Sequence, residues 1–241
     1  MRTFAVLAWL MVPVLAGAYH YGPGQEKLRL DDAGLALAAA DQLAAAGQWS
    51  KASAAYEKAL AMLPAGRLDE ARRIKLQRAK VQMLDRQLPE AHAALEELAD
   101  QVESDPSVDA KLREDVESAF ASSQYYMTWL MRLEGLPEAD WEPEIEGARQ
   151  TYRLLAEQAE ARGDGKAARQ HREDLEGAIR LARMEPGELQ ARSIPKQCSG
   201  CKCNGACKNP GKSKGKNPGK GEEKKDARKA GAGPPPDGSG S

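Results

Sequence analysis

Four cysteines, the only ones in the chain, carry the strongest chemical signal in the sequence. They are Cys198, Cys201, Cys203 and Cys207, in the pattern C-x2-C-x-C-x3-C. In an oxidising compartment such a cluster forms two disulfides, and the sequence leaves all three pairings open. Four thiolates would also bind zinc or another soft metal. Structural zinc sites usually pair two C-x2-C hooks, however, and this run contains one.

Two further interpretations of the cysteine cluster remain. The run is similar to the bacterial ferredoxin pattern C-x2-C-x2-C-x3-C-P, but its middle gap is one residue shorter, which counts against an iron–sulfur centre. Arg2 also stands alone, whereas export of a prefolded cluster protein is expected to use two consecutive arginines. The last alternative is a cysteine-containing tail without a set role. No histidine lies close to the cluster in sequence, so a catalytic thiol is not expected.

The other candidate catalytic groups are isolated. His20, His92 and His171 are far apart in sequence, and we expect each to be a surface imidazole or to lie near a helix end. Paired carboxylates such as Glu96 and Glu97 are expected to be solvated helix faces. The chain has no nucleophile elbow, P-loop, dinucleotide-binding fingerprint or H-E-x-x-H motif. We therefore predict no enzyme, no catalytic residue and no cofactor, with zinc at the cysteines as the alternative.

The cysteines lie in a basic C-terminal tail, residues 186–241, which we expect to be disordered because it is rich in Lys, Gly and Pro. Residues 196–241 hold 11 basic and 4 acidic side chains. By difference from totals of 35 and 36, residues 1–195 hold 24 and 32, a charge of about −8. The tail is expected to contact anionic polymers or to act only as a solubilising segment. It lacks aromatic residues for base stacking, so no specific nucleic-acid partner is expected.

The N-terminus is typical of an export signal. Arg2 precedes an uncharged, mostly apolar run, and Ala16-Gly17-Ala18 forms a cleavage pattern before Tyr19. We predict cleavage between Ala18 and Tyr19, which places the mature chain in the bacterial periplasm. The alternative is an uncleaved segment that anchors the chain in the inner membrane, and we expect membrane contact only in that case. No cysteine follows the run, so lipidation is not expected.

Between these termini the sequence predicts helices. The chain is rich in alanine, and long stretches lack the β-branched residues that favour strands. Residues 19–30 are expected to be a linker, with Asp31 or Asp32 capping the first helix. Asp105 and Pro106 are expected to start the fifth helix. In all we predict about seven helices, at approximately 32–46, 50–62, 68–85, 89–102, 106–133, 144–162 and 165–184.

One stretch, LAAAGQWSKASAAYEKALAMLP at residues 43–64, places small and aromatic residues at the offsets of a tight helix hairpin. Gly47 suits a left-handed turn, Ala52 suits a close crossing of two backbones, and Tyr56 and Ala59 continue the same face. Pro64 ends the second helix. This stretch resembles the tetratricopeptide repeat, whose period is about 34 residues. A second copy shifted by 39 residues aligns Ala79 and Ala91 with Ala40 and Ala52, and residues 149–184 match more faintly.

The resemblance implies an all-α solenoid of antiparallel helix hairpins over residues 31–185, with a concave groove that binds a protein or peptide. By analogy with the repeat, the groove residues would come from the first and third helices: Leu37, Asp41, Ala44, Arg73, Leu76, Lys80 and Met83. The function expected from the resemblance is a non-catalytic, exported interaction scaffold. The alternatives are a metal-binding or redox protein acting through its cysteines, and an envelope protein that binds anionic polymers through its tail.

Overall fold

Helices account for nearly all of residues 23–192. The computed structural model describes residues 9–15, 17, 19 and 23–192, and no strand occurs among them. Residues 9–15 are helical. The later helices are α1 (Pro23–Ala45), α2 (Trp49–Met62), α3 (Leu68–Leu84), α4 (Leu88–Glu103), α5 (Ala110–Leu133), α6 (Glu138–Ala161), α7 (Gly165–Arg183) and α8 (Pro186–Ala191). The predicted all-α class is confirmed.

Consecutive helices pack as antiparallel hairpins. From α1 to α7 each helix packs along the next, and α5 also touches α3 and α8. The buried side chains form three clusters in chain order, one around α1 to α3, one around α3 to α5 and one around α5 to α8. The predicted hairpin array is therefore confirmed, and its interior is a row of small cores rather than one large core.

The first hairpin has the geometry that its small residues predict. Ala40, Ala52 and Ala59 are completely buried, and Tyr56 is almost so. Side chains this small let the α1 and α2 backbones approach closely at their crossing. Gly47 has a φ of +71° and closes α1. Only glycine takes this conformation without a steric cost, so the turn is encoded locally.

The second hairpin repeats this geometry 39 positions later with a different turn residue. Ala79 and Ala91 are as buried as Ala40 and Ala52. The residue at the position of Gly47 is Arg86, whose φ of +65° is left-handed despite its Cβ. Packing of α3 on α4 imposes this conformation, because an arginine does not favour it by itself.

Helix α1 begins earlier than predicted. The expected linker at residues 19–30 is wrong from position 23 onward, because α1 starts at Pro23. Proline suits a first helical position, and residues 25–30 are good helix formers without glycine or proline. Asp31 and Asp32 consequently lie inside the helix and do not cap it. Tyr19 is described, and its hydroxyl accepts a hydrogen bond from Lys27 Nζ at 3.1 Å.

Two further helix starts differ from the predictions. Helix α5 is capped by Asp109, whose carboxylate accepts from the Leu112 N–H at 3.0 Å, and not by Asp105. The Asp105 carboxylate is occupied by the Ser107 hydroxyl and by Arg72, and these contacts hold the pKa of Asp105 near 2. Helix α6 starts at Glu138 and continues through Pro143, although the sixth helix was predicted to start at residue 144. Burial of Trp141 in the first turn outweighs the hydrogen bond that Pro143 cannot donate.

The predicted tail also begins later than expected. Residues 186–191 form α8, which buries Leu189 almost completely, so they belong to the helical body. The four cysteines and the lysine-rich segment lie outside the described residues, as does Ala18 of the predicted cleavage site. None of the helices that the structure describes has both the length and the apolar character needed to cross a bilayer.

Candidate interaction face along α3, α5 and α7

Two of the predicted groove residues are core residues. Leu76 and Met83 are buried in the cluster that joins α3 to α5, so the prediction that they line a groove is wrong. Both positions satisfy helical spacing, but spacing alone does not show which of two apolar stripes on α3 faces inward. Leu37 and Ala44 of α1 are partly buried against the core of the first hairpin.

The polar members of the predicted groove are tied to other helices. Asp41 accepts a hydrogen bond from the Tyr56 hydroxyl at 2.6 Å across the first hairpin. Burial, followed by this bond, raises the pKa of Tyr56 well above its usual value. Arg73 is exposed and lies 3.6 Å from the Asp109 carboxylate at the start of α5. Arg73 therefore lies on the side of α3 that faces α5.

Lys80 lies on that same side of α3 and is half-buried. Burial lowers the pKa of its ammonium group, and the neighbouring charge of Asp115 on α5 partly opposes this effect. Asp115 also forms an ion pair of 3.1 Å with Lys111. The structure thus places Lys80 against the N-terminal half of α5, near the negative charge of Asp115 and the positive charge of Lys111.

The same network continues from α5 to α7 through Glu114. One carboxylate oxygen of Glu114 lies 3.0 Å from the Arg162 guanidinium and 3.5 Å from Lys111 Nζ, and the other lies 3.6 Å from His171 Nε2. The side chains of Glu114 and His171 are only 10% and 9% exposed. Burial lowers the pKa of His171, and its Nδ1 has no hydrogen-bond partner among the described residues. One polar nitrogen of this buried network is therefore left unsatisfied.

Beyond Glu114 the two helices meet through side chains, because Ala121 and Trp129 of α5 lie in one buried cluster with Ala178 and Leu181 of α7. Within residues 23–192, α5 packs on α6 and α6 packs on α7, but α5 and α7 do not pack along each other. We call the surface where α5 and α7 meet over α6, with Glu114, His171 and Asp174, the trough. Tyr152 of α6 is buried there, and its pKa is raised first by burial and then by the charge of Asp174 on α7.

Asp174 is the most perturbed carboxylate of the trough. Burial raises its pKa from 3.8 to about 6, although the Gln170 amide donates to the carboxylate at 3.2 Å. No cation forms an ion pair with Asp174 among the described residues. A carboxylate in this state destabilises the isolated fold at neutral pH. Groups kept at such a cost are concentrated at functional sites.

The far end of the trough opens into a pocket. A cavity of about 490 Å³ lies where α5, α7 and α8 meet. Its lining combines two aromatic rings, two guanidinium groups and small or apolar side chains: Tyr125, Trp129, Gly177, Arg180, Met184, Ala191 and Arg192. The two positive charges act on Tyr125 and partly offset the rise that burial causes in its pKa. We call this cavity the arginine pocket.

A separate polar cluster lies on the opposite side of α5. His92 Nδ1 is 3.0 Å from the Ser123 hydroxyl, and His92 Nε2 is 3.6 Å from the Glu144 carboxylate. The residue types are those of a hydrolase triad, but Ser123 is fully buried and donates its proton to the Phe120 carbonyl at 2.7 Å. A nucleophile needs access to substrate and a base that takes its proton, and Ser123 has neither. The cluster joins α4, α5 and α6.

The sequence did not predict the positions of two histidines between helices. His92 and His171 were expected at the surface or near a helix end, and both instead lie in polar clusters between helices. Each is paired with a glutamate more than 50 positions away, Glu144 for His92 and Glu114 for His171. A signal existed in the sequence, because each histidine stands in an apolar stripe of its helix, but the partner could not be identified.

Comparison with known proteins identifies no related protein or family. No protein-family model matches the chain, and no curated protein and no solved structure is significantly similar to it. Among the residues that the structure describes, no three metal-binding side chains are grouped closely enough to hold an ion. The candidate site is therefore defined by its own geometry.

Proposed function

We propose that this chain is a non-catalytic scaffold that binds another protein through the face formed by α3, α5 and α7. The observation that carries the proposal is Asp174, a half-buried carboxylate of the trough that forms no ion pair among the described residues. A partner lying in the trough would supply contacts that the isolated fold lacks. Repeated helix hairpins commonly present such a surface to peptides or partner helices.

The polar character of the face favours selective rather than general binding. Lys80 of α3 and Lys111 of α5 lie beside the carboxylates of Glu114 and Asp115, so charges of both signs occur at fixed positions on the face. A partner must match this order, since a like charge placed opposite a buried one costs binding energy. The resemblance of the first hairpin to the tetratricopeptide repeat supports the same function.

We further propose that the scaffold acts after export. The N-terminal pattern that precedes Tyr19 supports this, and the apolar side chains at residues 9–15 are exposed, including Trp9 at 75% and Leu15 at 66%. Side chains of this kind contribute nothing to the helical body, as expected for a segment that acts in targeting. Zinc or redox chemistry at the cysteines, and polymer binding by the basic tail, stay predictions about residues outside those described.

Site-specific photocrosslinking in the native host tests the scaffold proposal. The full-length gene would carry benzoylphenylalanine at Gln170, an exposed position on α7 beside Asp174. We expect irradiation to link the chain to a defined second protein. The matched control carries the same group at Glu96, which is exposed on α4 away from the trough.

The two positions discriminate the outcomes. A crosslinked partner from position 170 that is absent from position 96 supports the proposal. No crosslink at position 170, or the same set of products from both positions, contradicts a partner in the trough. Melting temperatures of both proteins would first show that each one folds.

A further inference from the structure

We propose that the arginine pocket receives an acidic side chain of the partner together with a neighbouring apolar one. The pocket is part of the face proposed above to bind a protein, so this occupant presupposes that function. Its volume of about 490 Å³ is enough for two side chains, and lies within the range of about 300–1,000 Å³ that is common for ligand sites.

The charge of the pocket argues for an anion. Arg180 is exposed and has no ion-pair partner among the described residues. Arg192 pairs only with Glu188, four positions earlier on the surface of α8, and exposed pairs of this kind are weak. Arg180 is therefore free to form a bidentate contact with a carboxylate, and Arg192 can join it by exchanging a weak surface pair. Residues 1–195 are acidic overall, so this local positive charge stands out on the body.

The carbonyl groups at the C-terminal end of α7 do not prevent an anion from binding nearby. The last carbonyls of a helix carry partial negative charge and would repel a carboxylate nearby. Arg132 of α5 removes this obstacle, because its guanidinium donates to the carbonyl oxygens of Leu181 and Met184. The same guanidinium lies over the Trp141 ring, 4.6 Å from its centroid, which fixes its position.

The aromatic side of the pocket argues for an apolar neighbour. Trp129 is 3% exposed, and its indole N–H has no acceptor among the described residues. Tyr125 adds a partly exposed ring and Met184 a thioether that is 6% exposed, so the pocket has a smaller apolar part beside its larger polar part. A segment that presents Phe, Leu or Ile next to Asp or Glu matches both halves. A basic segment would be repelled, and a purely apolar one would leave Arg180 unpaired.

Selection from a displayed library of random peptides tests the inference with the intact chain as bait. We expect the enriched peptides to share an acidic residue beside a large apolar one. Binding of these peptides to Arg180→Glu should fall by about 10-fold or more, because a charge-assisted contact becomes repulsive. Arg180→Gln should show a smaller loss of binding, because it removes the charge-assisted contact without adding a repulsive charge.

Arg183→Glu is the matched control, because Arg183 is exposed in the same helical turn but does not line the pocket. It should leave binding within about twofold, since rim charges outside a contact have small effects. Enriched peptides without acidic residues, an equal response to both charge reversals, or no enrichment at all would overturn the inference. None of these results decides the scaffold proposal, which the crosslink at position 170 tests independently.

Discussion

The α1–α2 hairpin and the α5–α7 trough use their facing side chains in opposite ways. In the hairpin, alanines at the crossing bring two backbones together, and the polar contact between Asp41 and Tyr56 lies at its edge. In the trough, α5 and α7 meet through polar side chains, with Glu114 3.6 Å from His171 and Asp174 half-buried without an ion pair among the described residues. The difference separates residues that stabilise the fold from residues that cost stability and are therefore candidates for function.

The largest expected effect is a loss of stability when the crossing of α1 and α2 is overpacked. Ala52→Leu adds volume to a completely buried position and should lower the free energy of unfolding by about 2–3 kcal/mol, the cost of overpacking a tight interface. Urea denaturation followed by circular dichroism measures it. Ala54→Leu, at an exposed position of the same helix, should change stability by less than about 0.5 kcal/mol. Equal losses for both variants would show that α1 and α2 do not pack closely.

The next largest effect is a gain in stability, expected when the charge of Asp174 in the trough is removed. Burial raises the pKa of Asp174 from 3.8 to about 6, so the folded chain holds this proton more tightly than the unfolded chain. Stability is therefore greater below pH 4 and is lost as the pH rises towards 6. Asp174→Asn removes the charge and should stabilise the fold at pH 8 by about 1–2 kcal/mol, somewhat less than the full shift implies because water still reaches the site.

Urea denaturation of Asp174→Asn and the parent at pH 4 and pH 8 tests this. The stabilisation should shrink towards zero at pH 4, where Asp174 is largely protonated in the folded chain. Glu173→Gln, at an exposed neighbouring position, should show neither the gain nor its pH dependence. A loss of stability in Asp174→Asn at pH 8 would show that the charged carboxylate stabilises the fold through a partner, which contradicts the prediction.

A smaller effect concerns the polar edge of the hairpin. Tyr56→Phe removes the hydroxyl that donates to Asp41 and should cost about 1 kcal/mol, the usual net value of one hydrogen bond. A double-mutant cycle with Asp41→Ala measures the coupling. Strong non-additivity of the two substitutions is expected, because each removes the same bond. Additive losses would show that the contact does not contribute.

The smallest effect compares the turns of the first two hairpins. Arg86 has a left-handed φ of +65°, whereas glycine holds the equivalent position in the first hairpin. Arg86→Gly should relieve this strain and raise the melting temperature modestly, by an amount equivalent to about 0.5 kcal/mol after the greater entropy of the unfolded glycine is deducted. Arg86→Ala keeps a Cβ and should give no gain. A gain for alanine as well would attribute the effect to the arginine side chain.

The sequence predicted those features that depend on nearby residues. Gly47, the alanines and Pro64 specify their hairpin within about 20 positions, and the helices and their order followed from such local patterns. The helix starts at Ala110 and Glu138 did not, because competing contacts of Asp105 and burial of Trp141 decided them. The trough was missed for the same reason, since its residues come together only when α5 and α7 both pack on α6.

Arg132 also bears on the order in which the chain folds. Its guanidinium binds carbonyls 49 and 52 positions later in the chain, whereas most helix contacts join direct neighbours. Contacts that close long loops pay more entropy and tend to form late. We therefore expect the end of α7 and the short α8 to dock after the hairpins have assembled. In pulse-labelled hydrogen exchange, the Leu189 amide should gain protection after the amides of α2.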